Sequence, residues 1–488
     1  MNDRVAAAVT ETPASSTAAG WLTNEDLAPT PLAERTWNTW HIAALWVGMS
    51  VCIPTYMLSA SMIEAGMTWR QSLLAILLGN AIVLLPLLIN GYAGTKYGIP
   101  FPVYARASYG LVGAHIPSLA RSLVACGWFG IQTWIGGLAI HALLGALWPA
   151  WHALGGDWSF MGYGAGHYAG FLLFWLLNVY FVWSGTESIK WLETLAAPFL
   201  VLMGLALLLW AMGRVGGLGT ILAQSDALVE ARPAIPFPRF FLTLFLPWLT
   251  AMVGFWATLS LNIPDFTRYA GSQREQMAGQ AIGLLVTMPL FSFIGLAVTS
   301  ATVLLYGEAI WNPIDLLARL AAEQDSPLLA IVALGAIVVA TLSTNIAANV
   351  VSPANSLSNL APSHISFRTG GLIAALVGIL IFPWKLLDLY QGWLITYSGL
   401  LGAVGGVILC DYLLVRRTRL DPEALYREDS EYAYGGSGVN GAAVWATLAG
   451  IGLALLGLVV PGLGFLFEGA WFGATIAAAA VYAWLMRQ

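Results

Sequence analysis

The chain has 488 residues, of which 20 are Lys or Arg and 25 are Asp or Glu; charged residues make up 9%, hydrophobic residues 58%, the net charge is −5 and the mean hydropathy is +0.75. Soluble domains carry about 25% charged residues, so this composition excludes a water-exposed globule and defines a polytopic membrane protein. No basic cluster offers a footprint for nucleic acid, and Cys52, Cys126 and Cys410 lie in or beside apolar runs without disulfide or metal-site spacing.

Residues 1–28 are polar and Ala/Thr/Ser-rich, with no apolar core of a signal peptide. They read as a disordered cytoplasmic tail, although the stretch 22–31 has the residues to close something at the membrane surface. Twelve apolar stretches follow, at about 39–63, 71–92, 112–147, 166–184, 189–213, 240–265, 278–306, 327–350, 370–386, 389–416, 441–460 and 465–486. A crossing needs about 20 residues, so the expected fold is all-α with twelve transmembrane helices. With the N-terminus inside, the outer segments hold Arg70, Arg214, Arg232, Arg239, Arg319 and Lys385, and the other fourteen of the 20 Lys and Arg fall inside. That bias places both termini in the cytoplasm of an inner (cell) membrane protein.

Two crossings carry breaks. The first reads Gly48-Met49-Ser50-Val51-Cys52-Ile53-Pro54, and the sixth runs from Gly254 through Asn262-Ile263-Pro264. Proline removes a backbone donor and glycine lowers the cost of unwinding. Interruptions at matching places in two halves point to an inverted-repeat transporter with discontinuous helices, though a pair of ordinary proline kinks would look the same. The chain then divides into a tail at 1–36, a first repeat at 37–215 (helices 1–5), a second at 216–416 (helices 6–10), a charged cytoplasmic linker at 417–440, and two appended helices at 441–488. The linker's Gly436-Ser437-Gly438-Val439-Asn440-Gly441 has no preceding strand, so it reads as a flexible turn and not as a phosphate loop.

Catalytic chemistry is poorly represented. His41, His115, His141, His152, His167 and His364 are scattered, and no hydrolase, zinc or nucleotide motif is present. An enzyme acting on a lipid or quinone would need such a constellation. Glu64, Glu187, Glu308, Asp388 and Asp411 fall near helix ends, where an interfacial role suffices, and Asp265 has Arg268 within pairing reach. Two other pairs are more suggestive. Trp128 and Gln132 share one face of the third helix, as do Asn345 and Asn349 on the eighth. An indole beside a carboxamide suits a planar, neutral heterocycle, which stacks while the amide donates and accepts. Buried amides need partners, which a ligand or a neighbouring helix can supply. Ser343 and Thr344 add hydroxyl oxygens that, with carbonyls freed at a broken helix, could hold a hard cation.

Several longer motifs carry a resemblance. Leu45-Trp46-Val47-Gly48-Met49, Ile53-Pro54-Thr55-Tyr56, Gly94-Thr95-Lys96-Tyr97-Gly98-Ile99-Pro100-Phe101-Pro102-Val103, Trp128-Phe129-Gly130-Ile131-Gln132-Thr133-Trp134, Asn262-Ile263-Pro264-Asp265-Phe266 and Ser343-Thr344-Asn345-Ile346-Ala347-Ala348-Asn349 occur in the order seen in the nucleobase:cation symporter-1 family, which the chain resembles from about residue 24 to 426. The resemblance implies an amino-acid/sodium symporter-like fold, a five-plus-five inverted repeat with two extra helices, working by alternating access. It implies that Trp128 and Trp256 stack on the substrate ring, that Gln132 and Asn349 bond its edge with Asn345 beside them, and that Cys52 occupies the place of an amide in the hydantoin-carrying relatives. It also implies a sodium site from the carbonyls of Gly48, Val51 and Ala340 and the hydroxyls of Ser343 and Thr344.

The expected protein is therefore no enzyme. It is a monomeric symporter in the lipid bilayer that imports a small neutral heterocycle, uracil first and allantoin next, with sodium as the coupling ion and no cofactor or nucleic-acid partner. A hydantoin or dihydropyrimidine carrier, a proton-coupled purine/cytosine-type permease and a passive channel are the alternatives.

Overall fold

The computed structural model describes residues 20–184, 187–230 and 235–488. Residues 1–19, which hold Arg4 and most of the expected tail, and 231–234, with Arg232, lie outside the described residues, as do the side chains of Glu187 and Lys190.

Among the described residues, nine helices are long and apolar enough to cross a bilayer, a tenth crossing is made of Thr39–Ser50 and Ile53–Glu64 joined at a 56° bend, and Arg368–Leu380 and Ala470–Leu485 are shorter apolar helices. Together they supply the twelve expected segments. Polar residues set the starts. Asn38 caps the first helix by accepting from the amides of Trp40 and His41, and Thr68 accepts from the Gln71 amide at the start of the second, Trp69–Tyr97. Each removes an orphan donor from a helix terminus. Gly98 ends the second helix at φ 72, where a left-handed residue closes the last turn.

Glycine lets the crossings approach. The seventh helix, Gln273–Tyr306, lies against both halves of the first. A Cβ on Gly283 would stand 2.5 Å from Trp46 Cβ, and one on Gly295 would stand 2.5 Å from Ser59 Oγ and 2.8 Å from the Tyr56 carbonyl. Small residues at such contacts give packing that lipid cannot supply.

Two expected crossings are subdivided. The ninth, expected at 370–386, is helical over Phe367–Leu380, turns at Phe382 (φ 53) and resumes at Pro383–Asp388. The twelfth, expected at 465–486, splits into Gly464–Glu468 and Ala470–Leu485 around Gly469. Hydropathy does not register a turn placed between two apolar runs.

The segment read as free tail is, from residue 20 onward, packed against the helix bundle, with Leu22 and Leu27 buried. Guanidinium groups hold it by its backbone. Arg106 donates to the carbonyl of Leu22 at 2.8 Å, to that of Leu425 at 3.0 Å and to Asn359 Oδ1 at 2.8 Å. Arg268 donates to the Asp26 carbonyl, and the Tyr426 hydroxyl to that of Leu27. Asn24 reaches Ser358 at 2.8 Å. Burial pulls Arg106 down to about 10, which still leaves it protonated at neutral pH. The linker is equally tied down: Tyr426 and Tyr432 are buried, and the Gly438 carbonyl accepts from Val112 and Gly113. The glycine-rich stretch 436–441 is thus a pinned turn and not a flexible one.

Candidate functional site

The first helix comes apart at Val51 and Cys52. Val51 has φ −84 and ψ 80, and Cys52 is extended at φ −145 and ψ 160. In a continuous helix the Cys52 and Thr55 amides would donate to the carbonyls of Gly48 and Val51. Here Cys52 N donates to Ser50 O and Thr55 N to Cys52 O, both at 3.1 Å. The Gly48 and Val51 carbonyls therefore leave the ladder at the break, which membrane protein backbone tolerates where it lines a cavity. Pro54 sits in the first turn of the second half, where its missing N–H costs nothing.

The sixth helix is interrupted at Trp256, with φ −103 and ψ 3, between Leu246–Phe255 and Ala257–Asn262. This lies eight residues before Pro264, which begins the short turn Pro264–Thr267. The proline fits a helix start, and the break belongs to the Gly254-Phe255-Trp256 step. There the Gly254 carbonyl accepts the Tyr397 hydroxyl at 2.8 Å.

The two breaks and the third and eighth helices, His115–Leu147 and Pro327–Asn349, enclose one cavity. Cys52, Trp128, Gln132, Trp256 and Asn349 all line it, with Met49, Phe255, Thr258, Leu259, Thr344 and Ala348. No charged side chain is among them. Five of the six residues expected to bind substrate are thus brought together. Asn345 is not: it is fully buried behind Asn349, whose Nδ2 donates to Asn345 Oδ1 at 3.0 Å. Residues four apart share a helix face but sit a full turn apart along it, which puts Asn345 beside Asn349 and away from the cavity lining.

Both indoles are fixed from behind. Trp128 Nε1 donates to the Tyr397 hydroxyl at 3.1 Å, and the ring meets Phe255, Trp393 and Tyr390 edge-on at centroid distances of 5.0, 5.0 and 6.1 Å. Trp256 Nε1 donates to Asn80 Oδ1 at 3.0 Å, while Asn80 Nδ2 is held by the Ile76 carbonyl. Such edge contacts add about 0.5–1.5 kcal/mol per pair beyond burial. Tyr390, Trp393 and Tyr397 come from the tenth helix, Tyr390–Cys410. Their spacing of three and four is a one-face aromatic stripe that a sequence reading could have noted. Gln132 differs from the other polar lining groups: its Oε1 is buried without a partner.

Of the residues expected to hold a cation, Thr344 lines the same cavity as Met49 and Cys52, so the eighth helix reaches the break in the first. Its hydroxyl donates to the Ala340 carbonyl at 3.1 Å. Ala340 and Ser343 are buried on the same helix. The donor set is all oxygen and uncharged, the chemistry that a hard monovalent cation takes.

A bundle of membrane helices with a cavity at two unwound segments is the architecture of a secondary transporter. The sequence matches, over residues 29–476, the family described as permease for cytosine/purines, uracil, thiamine, allantoin. It is 45% identical over 437 residues to a purine-uracil permease of Arabidopsis thaliana, covering 88% of this chain and 70% of the relative. It is 39% identical to an allantoin permease of Bacillus subtilis, covering 96% and 93%. Two solved structures of Mhp1, each 26% identical, superpose with TM-scores of 0.79 (inward facing; 96% and 94% covered) and 0.74 (closed, with bromovinylhydantoin bound; 96% and 95% covered). The chain belongs to this nucleobase-cation-symport-1 family of permeases. It is a transporter and not an enzyme, and its fold is that of Mhp1, with the five-plus-five repeat and two further helices.

Proposed function

We propose that the protein imports a neutral, planar nucleobase or related ring, uracil first and allantoin next, by symport with a cation. One observation carries this reading: an uncharged cavity that combines Trp128, Trp256, Gln132 and Asn349 at two broken helices. An ionised substrate would find no counter-charge there, at a depth where an unpaired charge is costly. The names of the two relatives, a purine-uracil permease and an allantoin permease, agree with a ring of this kind. The Mhp1 structure with bromovinylhydantoin bound supports the second reading, a hydantoin or dihydropyrimidine carrier.

The coupling ion in this proposal is sodium, held by the Gly48, Val51 and Ala340 carbonyls and the Ser343 and Thr344 hydroxyls. Two of those carbonyls are released from the helical ladder, which supports the assignment. A proton is the alternative ion. The proposed working unit is a monomer with both termini in the cytoplasm.

Uptake of radiolabelled uracil by cells producing the full chain tests the substrate, with uracil, allantoin, hydantoin and dihydrouracil as competitors. Uracil and allantoin should compete most strongly. Competition by hydantoin or dihydrouracil alone would move the assignment to the second reading, and uptake that never exceeds equilibrium would indicate a passive path.

A further inference from the structure

Behind the cavity runs a chain of side-chain amides whose orientation is dictated at its far ends by backbone. Asn178, on the fourth helix Ala165–Ser184, donates Nδ2 to the Phe174 carbonyl at 2.9 Å, so its oxygen faces the other way. Thr133 donates its hydroxyl proton to the Phe129 carbonyl at 2.7 Å, so toward any other neighbour it only accepts. Asn345 Nδ2 meets these acceptors together: Asn178 Oδ1 at 3.1 Å, Thr133 Oγ1 at 3.1 Å and the Phe129 carbonyl at 3.3 Å. No flipped Asn345 is compatible with them, because its oxygen would face three oxygens. Asn345 Oδ1 is therefore turned to Asn349, which must answer with its Nδ2, at 3.0 Å. The oxygen of Asn349 is left for the cavity that Asn349 lines.

We infer that the Asn178–Thr133–Asn345 relay sets the hydrogen-bond polarity of the site, making Asn349 a fixed acceptor that selects rings offering an N–H at that edge over rings offering a bare nitrogen. The inference rests on the nucleobase reading above and deepens it. It names the favoured substrates as imide rings, such as uracil or hydantoin, whose nitrogen between two carbonyls carries a hydrogen, and makes cytosine, whose corresponding ring nitrogen is bare, a poor one. Gln132 does not discriminate in this way. Its Oε1 has no partner, so nothing from behind fixes which end of its amide a ring meets. Asn345, Asn178 and Thr133 are positioning residues: they act through Asn349. A site built to accept from a ring N–H rejects the analogue lacking it because two acceptors are then left facing one another.

The test is labelled-uracil uptake by the full-length protein in proteoliposomes, with unlabelled uracil or cytosine as competitor. The wild type should prefer uracil by about tenfold or more, the value of one well-placed hydrogen bond against a mismatch. Asn345→Ala frees Asn349 to rotate, so the preference should fall to within about twofold, cytosine competing better than before while uracil weakens. Thr133→Val keeps the side-chain shape and removes one acceptor, so it should shift the ratio the same way by a smaller factor and serves if Asn345→Ala does not fold. A structural role alone would weaken both rings alike and leave the ratio unchanged in either variant, which overturns the relay. A wild type that takes cytosine as readily as uracil also overturns it. A wild type that transports no uracil defeats the functional reading itself, and the relay with it.

Discussion

Trp128→Ala should lower the affinity for the transported ring by a hundredfold or more with the protein still at the membrane. Stacking on an aromatic side chain contributes about 1–3 kcal/mol per base by alanine substitution. The truncation also leaves the Tyr397 hydroxyl without the indole N–H and removes the body against which Phe255, Trp393 and Tyr390 set their edges. A combined loss of about 3 kcal/mol corresponds to roughly a hundredfold in affinity. Trp128→Phe keeps a ring face and loses only the N–H, so it should cost about tenfold or less. The measurement is the concentration of uracil giving half-maximal uptake, at matched surface expression. A Trp128→Ala protein within threefold of wild type would remove this residue from the site.

The second large effect concerns coupling. Replacing sodium with choline at fixed pH should abolish uptake, and the double variant Ser343→Ala with Thr344→Ala should behave as wild type does in choline. One monovalent cation moving inward down 100 mV supplies about 2.3 kcal/mol, enough for roughly fiftyfold accumulation. Without oxygens to replace its hydration shell the ion has no reason to stay. The Thr344 hydroxyl donates to the Ala340 carbonyl, and its oxygen keeps lone pairs for a cation beside it. Uptake that ignores sodium and follows external pH would assign the coupling to a proton instead.

Much of this site is legible in the residues because its chemistry is carried by rare types at helical spacing. Trp128 with Gln132, and a broken first helix around Cys52, stand out in an apolar chain, and the structure places them on one cavity. What supports them is less visible. Asn178 looks like any polar residue in a membrane helix until the Phe174 carbonyl and Asn345 are set beside it. Asn345 reads as a ligand contact from its spacing to Asn349, yet a full turn of helix puts it behind that residue. The break at Trp256 is masked by Pro264, the louder signal, which the helix start accommodates. The stretch from residue 20 onward lacks an apolar period because Arg106 and Arg268 hold it through backbone carbonyls, an interaction that leaves no side-chain pattern in the segment held.

In the proposed transport cycle a flat, uncharged molecule is gripped between two indoles where the first and sixth helices unwind. A cryo-electron microscopy map of the full chain with uracil in sodium-containing buffer tests it most directly. Planar density is expected between Trp128 and Trp256, with an edge toward Gln132 and Asn349. Density lodged elsewhere, or a uracil-bound state in which those indoles face the acyl chains, would contradict it.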